Sequence, residues 1–346
     1  MHRKGSEMNK ASIRIRVLLG MLSSIAVLLL PSAGLAHSPG DPWTAHYMWR
    51  RYYNTTPNCP GDATAPEYEC TGILLRATNP QKEPNGGWVP EPKSLGTANP
   101  NSSAGGVSFS YIRADSKFGR LAFSYQNGFT LLPHAGKYTY PKNGTKMGMT
   151  ILCAFPLDAA TDGRSDAGCG APVRERASGQ PCQQRNIRTA DAWMAAYRPG
   201  TDFAYHQQCG FDMRDGHRQP GDFTAALQAK QRTNTFTEIN ELRIATWAPD
   251  GATDLTPDMT RFLPIESFFY IVGTSGGLAN ARYDQVKYFQ KTGNFIPIIA
   301  ISMPQSPNQH FDFHYNRSDQ APGVPIPSFP ATDPLPCTLG NFDTLC

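Results

Sequence analysis

The chain lacks most of the motifs by which nucleotide-binding and metal proteins are recognised. It contains no Cys-x-x-Cys pair, no P-loop lysine, no dinucleotide fingerprint and no internal repeat. Without the first, the eight irregularly spaced cysteines do not suit a closed tetrahedral zinc site, and no metal is expected. Without the second and third, the loop Gly273-Thr274-Ser275-Gly276-Gly277 reads as a turn rather than a phosphate cradle. The formal net charge is only +4, and it lies wholly in the first 36 residues. Lys and Arg number 32 and Asp and Glu 28, but five of the basic residues and Glu7 fall within residues 1–36, which leaves 27 of each sign in the remainder. Such a balance gives no electrostatic footprint for nucleic acid or anionic membranes, so neither is expected as a partner. The one long apolar run, Val17 to Leu30, is shorter than the roughly 20 residues that span a bilayer, so no membrane anchor is expected.

That run follows Arg3, Lys4, Lys10, Arg14 and Arg16 and precedes Ala33-Gly34-Leu35-Ala36. A basic stretch, an apolar stretch and a small-residue site make residues 1–36 a signal peptide in this reading, with cleavage after Ala36 and secretion to the periplasm or beyond. An even cysteine count in an exported chain then reads as disulfides, among Cys59, Cys70, Cys153, Cys169, Cys182, Cys209, Cys337 and Cys346. Short loops suggest Cys59 with Cys70 and Cys337 with Cys346. The central four allow three pairings, and the Gly-, Asp- and Arg-rich loop 158–185 is expected to be held by Cys169 and Cys182.

Periodicity supplies the elements. Strands are expected at 71–76, 107–113, 149–157, 241–247, 265–272 and 295–302. Helices are expected at Thr189–Tyr197, capped by Thr189, and at Asp222–Gln231, with a looser one over 278–290. Phe118, Leu121, Ala122 and Tyr125 follow helical spacing, with Asn127-Gly128 as the stop. Short helices and strands spread along the chain make the fold α+β. Residues 37–303 form the expected single catalytic domain, and 304–346 a Pro-rich tail ending in the Cys337/Cys346 loop. A monomer is expected.

Two segments carry chemistry. Ser108-Phe109-Ser110-Tyr111-Ile112-Arg113-Ala114-Asp115-Ser116 ends a strand on an arginine, and Asn240-Glu241-Leu242 opens another on a glutamate. A guanidinium fork suits a diphosphate, and a carboxylate suits the oxocarbenium-like ribose formed when NAD+ loses nicotinamide. NAD+ is then a substrate, and no resident cofactor is needed. The rival for the arginine is Arg76, also near a strand end.

The run Arg113-Ala114-Asp115-Ser116, with Gln126-Asn127-Gly128-Phe129 beyond it, resembles the opening motif of the cholera-toxin and pertussis-toxin class of ADP-ribosyltransferases. The segment Glu238 to Leu242, followed by Leu263-Pro264-Ile265-Glu266, resembles that class's glutamate strand and the strand after it. The resemblance implies an ADP-ribosyltransferase-like fold with split mixed or antiparallel sheets. It assigns Arg113 to NAD+ contact and Glu241 to the catalytic carboxylate, with Ser116, Phe129, Asn240 and Arg76 as further substrate contacts. Ile239 stands where arginine-modifying members carry a second carboxylate, which favours hydrolysis over transfer. Over residues 53–303 the chain is also similar to halovibrin-type secreted bacterial proteins, through Cys70-Thr71-Gly72-Ile73-Leu74-Leu75-Arg76, Gln208-Cys209-Gly210-Phe211-Asp212 and Leu263 to Tyr270 among other blocks. That family implies secreted NAD+ glycohydrolase activity. The alternatives are transfer of ADP-ribose to a host protein acceptor, as a toxin, and a non-enzymatic host-interaction module.

Three further residues are open to two readings. Glu266, in an apolar strand, is expected to be a satisfied core carboxylate. His310 and His314 would meet a metal only on a helix, which Pro304 and Pro307 oppose, so they are expected as unpaired surface histidines.

Overall fold

A computed structural model describes residues 38, 40–56, 67–78, 107–116, 119–121, 125–132, 138–139, 146–159, 169, 181–197, 208–213, 220–233, 235–236, 238–249 and 265–332. Their strands are β1 (Ile73–Thr78), β2 (Val107–Ile112), β3 (Asn127–Leu131), β4 (Tyr138–Thr139), β5 (Lys146–Phe155), β6 (Phe211–Asp212), β7 (Glu241–Pro249), β8 (Ile265–Ile271), β9 (Ile298–Ser302) and β10 (Asp312–Tyr315). All ten join one sheet in the order β10-β9-β8-β3-β1-β2-β7-β5-β4, with β6 beside β5. Every pair is antiparallel except β8 with β9. The fold is α+β, as expected. The expected division into split sheets is not found among the described residues, because β2 pairs with both β1 and β7 and so carries the sheet across its middle.

Side chains alternate between the two faces of each strand, and this divides the core. Leu74, Phe109, Tyr111, Phe129, Leu242, Ile244 and Phe268 point to one face. There they meet α2 (Ala190–Tyr197), α3 (Pro220–Arg232) and α4 (Gly277–Thr292) through Trp193, Phe223, Leu227 and Tyr288. On the other face Ile73, Leu75, Ile112, Phe269, Ile299 and Ile301 pack against Met48 and Tyr52 of α1 (Thr44–Tyr53). We call these the three-helix face and the α1 face. The Thr189 hydroxyl accepts from the Ala192 amide at 3.2 Å, the expected N-cap of α2.

Four expectations are corrected. Asn127 and Gly128 begin β3 instead of ending a helix, because β3 lies buried between β1 and β8 and tertiary pairing overrides the helical spacing. A Cβ at Gly128 would collide with the Arg76 carbonyl oxygen and stand 2.8 Å from the Phe269 ring, so the close approach of strands requires glycine there. The segment after Met303 is not a tail throughout: β10 extends the sheet, and Phe311, Phe313, Ala321 and Val324 are buried. Gln320 fastens this segment by accepting from the Ile298 amide at 2.9 Å and donating to the Ile298 carbonyl at 3.0 Å. His314 lies on β10 with its Nε2 2.8 Å from Asp312 Oδ2, so it is paired rather than lone, and His310 faces Tyr52 at 3.5 Å.

Disulfides link Cys153 to Cys169 and Cys182 to Cys209. Cys169 and Cys182 therefore anchor the ends of the intervening loop to different neighbours, not to each other. Cys70 is also disulfide-bonded. Cys59, Cys337 and Cys346, and with them the two expected short-loop pairings, lie outside the described residues, as does the expected signal peptide of residues 1–36. No helix of the described residues is long and apolar enough to cross a membrane.

Candidate active site

Glu241 opens β7 opposite Phe155, the last residue of β5. Leu242 and Ile244 belong to the three-helix face, so the period of two turns Glu241 and Arg243 to the α1 face. The Glu241 carboxylate is only 2% exposed. Its Oε2 accepts the Ala159 amide at 3.0 Å, and its Oε1 stands 3.5 Å from Arg243 Nη1. Each carboxylate oxygen thus has a partner, and the positions of those partners fix where the carboxylate lies.

The Ala159 amide is aimed by the turn that leaves β5. Asp158 donates its amide to the Ile239 carbonyl at 2.8 Å. The Gln208 side chain binds both polar groups of Leu157, accepting its amide at 3.3 Å and donating to its carbonyl at 2.9 Å. Cys153, Phe155, Ala159 and Cys169 form a small apolar cluster beside the carboxylate.

Arg113 occupies a different setting. One step past β2 and two past Tyr111, it projects on the three-helix face. Its Nε and Nη2 donate to Asp115 at 2.7 and 2.8 Å, and its Nη1 forms an ion pair with Glu67 Oε2. Glu67 also accepts the Thr224 hydroxyl at 2.6 Å, and Asp115 accepts Gln231 Nε2 at 2.6 Å, so the cluster ties the end of β2 to α3. Burial opposes the guanidinium charge, but Asp115 and Glu67 outweigh it and raise the Arg113 pKa. The fork is already filled by two carboxylates. A diphosphate would have to displace them.

The other expected contacts also have structural partners. Ser116 accepts the Arg113 amide at 2.9 Å and donates to the Arg113 carbonyl at 2.6 Å, closing the turn after β2. Asn240 does the same for Tyr111, with both bonds at 2.9 Å, and so extends the β2–β7 ladder by a side chain. Phe129 is buried edge-on to Phe109 with ring centroids 5.9 Å apart. Arg76, partly exposed on the three-helix face, donates to the Ser108 carbonyl at 2.7 Å. The structure thus gathers Arg113 with Ser116, and Glu241 with Arg243, but does not bring Arg113 or Arg76 to the face of Glu241.

Glu266 is a core carboxylate, as expected. Both its oxygens meet Arg51 Nη2, at 2.5 and 2.6 Å, and the Thr130 hydroxyl lies 3.4 Å away. Burial raises its pKa against the pull of Arg51. Of the residues the sequence reading passed over, Arg243 was accessible to the period of two, since i and i+2 share a face. Glu67 and the Ala159 amide had no local signal: the first sits in a turn-rich stretch and the second is backbone.

Among the described residues no group of three or more His, Cys, Asp or Glu is placed to hold a metal ion. In comparisons with known protein families, curated proteins and solved structures, none matches this chain.

Proposed function

We propose that the protein is an exported NAD+ glycohydrolase in which Glu241 is the carboxylate that stabilises the ribose. The observation that carries this reading is the fixed, buried Glu241 carboxylate, bound by a backbone amide and flanked by Arg243 on the same face. Hydrolysis needs little else: the C1′–N bond breaks, nicotinamide leaves as a neutral group, and water adds to C1′ and loses a proton. A preorganised carboxylate beside C1′ lowers the cost of the cationic transition state. Among the described residues Arg243 stands 3.5 Å from that carboxylate, and it is the candidate for the diphosphate. The ADP-ribosyltransferase-like fold belongs to the same proposal, and so does export, which the two disulfides support as bonds of an oxidising compartment.

Nicotinamide release from NAD+ by the purified oxidised protein tests the reading. Wild type is expected to release it, and Glu241→Gln, assayed below its own melting temperature, to lose at least about 100-fold of that rate. A wild type without release, or a Glu241→Gln variant as active as wild type, would overturn the assignment. Label from NAD+ appearing on an added protein would point instead to transfer.

A further inference from the structure

We infer that the two central disulfides are positioning elements for Glu241, so that its site is assembled only in the oxidised chain. Both converge on one short segment, Gln208-Cys209-Gly210. Cys209 is bonded to Cys182, and the Cys182 amide donates to the Gly210 carbonyl at 2.9 Å. The Gly210 amide donates to the Cys169 carbonyl at 3.1 Å, and Cys169 is bonded to Cys153 on β5. A side chain at Gly210 would overlap Cys153 Sγ and stand 2.8 Å from the Phe155 ring, so the segment is seated directly on the disulfide.

From this seat Gln208 reaches the turn that carries the reactive geometry. It is fully buried, and its side-chain amide grips Leu157 at both polar atoms, two residues before the Ala159 amide that meets Glu241. Ala159 itself packs in the cluster formed by Cys153, Cys169 and Phe155. The chain of support therefore runs from disulfides to Gln208, to the 156–159 turn, to Glu241. Opening the disulfides removes the wall behind Ala159 and the anchor of Gln208 together. Each disulfide forms when two thiols give up two electrons and two protons to a disulfide oxidant such as oxidised glutathione, which becomes two thiols. Dithiothreitol reverses this and itself becomes a cyclic disulfide. A chain synthesised in a reducing compartment would thus carry Glu241 without its positioned amide.

The functional side of this inference rests on the NAD+ reading, so the test has a second readout that does not. Amide hydrogen exchange at Ala159 and nicotinamide release are followed in oxidised wild type, in Cys153→Ala/Cys169→Ala and in Gln208→Ala. Both variants are expected to lose roughly tenfold or more of Ala159 protection and of the hydrolysis rate, a misplacement effect on a preorganised group. Gln208→Ala keeps both disulfides and tests the link from them to Leu157, and wild type reduced with dithiothreitol replaces the cysteine variant if that variant does not fold, with the same loss of Ala159 protection expected. Folded variants that retain wild-type protection at Ala159 would overturn the inference. Disulfide-dependent protection in a wild type that releases no nicotinamide would support the positioning and defeat the NAD+ reading alone.

Discussion

Arg113 and Glu241 stand at the same end of the β2–β7 pair but on opposite faces of the sheet, the first among Glu67, Asp115 and α3, the second beside Ala159 and Arg243. What reads in sequence as one clamp and one carboxylate over a shared substrate is, in the fold, two centres. One is a filled ion cluster that joins β2 to α3, and the other is a positioned carboxylate.

Replacing Arg113 with methionine is expected to act on stability. Glu67 is buried, and removing its cation leaves an uncompensated carboxylate, at a cost of about 3–5 kcal/mol. Urea unfolding measures it. An Arg113→Met protein with the wild-type midpoint would show that the cluster does not hold β2 to α3.

The Arg51–Glu266 pair joins α1 to β8 across 215 positions of sequence. Arg51→Met alone is expected to cost about 3 kcal/mol or more, because it strands a buried carboxylate, while Arg51→Met with Glu266→Met recovers most of that loss. A double-mutant cycle by thermal or urea unfolding reads the coupling. Additive single effects would mean that the two side chains do not act as a pair.

Gly128→Ala is expected to destabilise by about 3 kcal/mol, since the added methyl meets the backbone of β1, which cannot step aside without breaking a sheet pair. A melting curve superimposable on that of wild type would contradict the close approach of β1 and β3.

Lys230 is almost wholly buried, and burial lowers its pKa to about 8, with its Nζ donating to the Thr235 carbonyl at 2.7 Å. The unfolded chain keeps this proton up to about pH 10.4, the ordinary lysine value. Over the window between the two, the unfolded state binds more protons than the folded state, so stability rises as pH climbs from about 8 toward 10.4. Lys230→Met is expected to flatten that rise. Unfolding free energies of both proteins between pH 7 and 10.5 provide the comparison.

Much of the fold was legible wherever one periodicity dominated. β2, β7, β8, α2 and α3 fall where alternation or helical spacing places them, within a few residues. The failures have a common physical origin. Asn127-Gly128 reads as a helix stop but opens β3, which is locked between two strands distant in sequence, and β10 hides in a Pro-rich stretch because four residues on a sheet edge need little local propensity. α1 begins just after Pro42 and Trp43 in a segment dominated by turn residues, yet it is buried through Met48 and Tyr52. At the candidate site, Glu241 could be singled out from sequence and Arg243 could have been. Of the partners of Arg113, Asp115 is local, two residues on, and could be read as a pair; Glu67 could not, because it meets the arginine from 46 positions away only in the folded chain.

The strand order also sets a timetable. β1, β2 and β3 occupy the middle of the sheet, but their flanks are β7 and β8, which follow after the long interval from residue 131 to residue 241. Gln320 then seals Ile298 from still further along the chain. A polypeptide emerging from its N-terminus therefore leaves its central strands open-edged until nearly all of it has been made, and such late, distant pairing folds slowly.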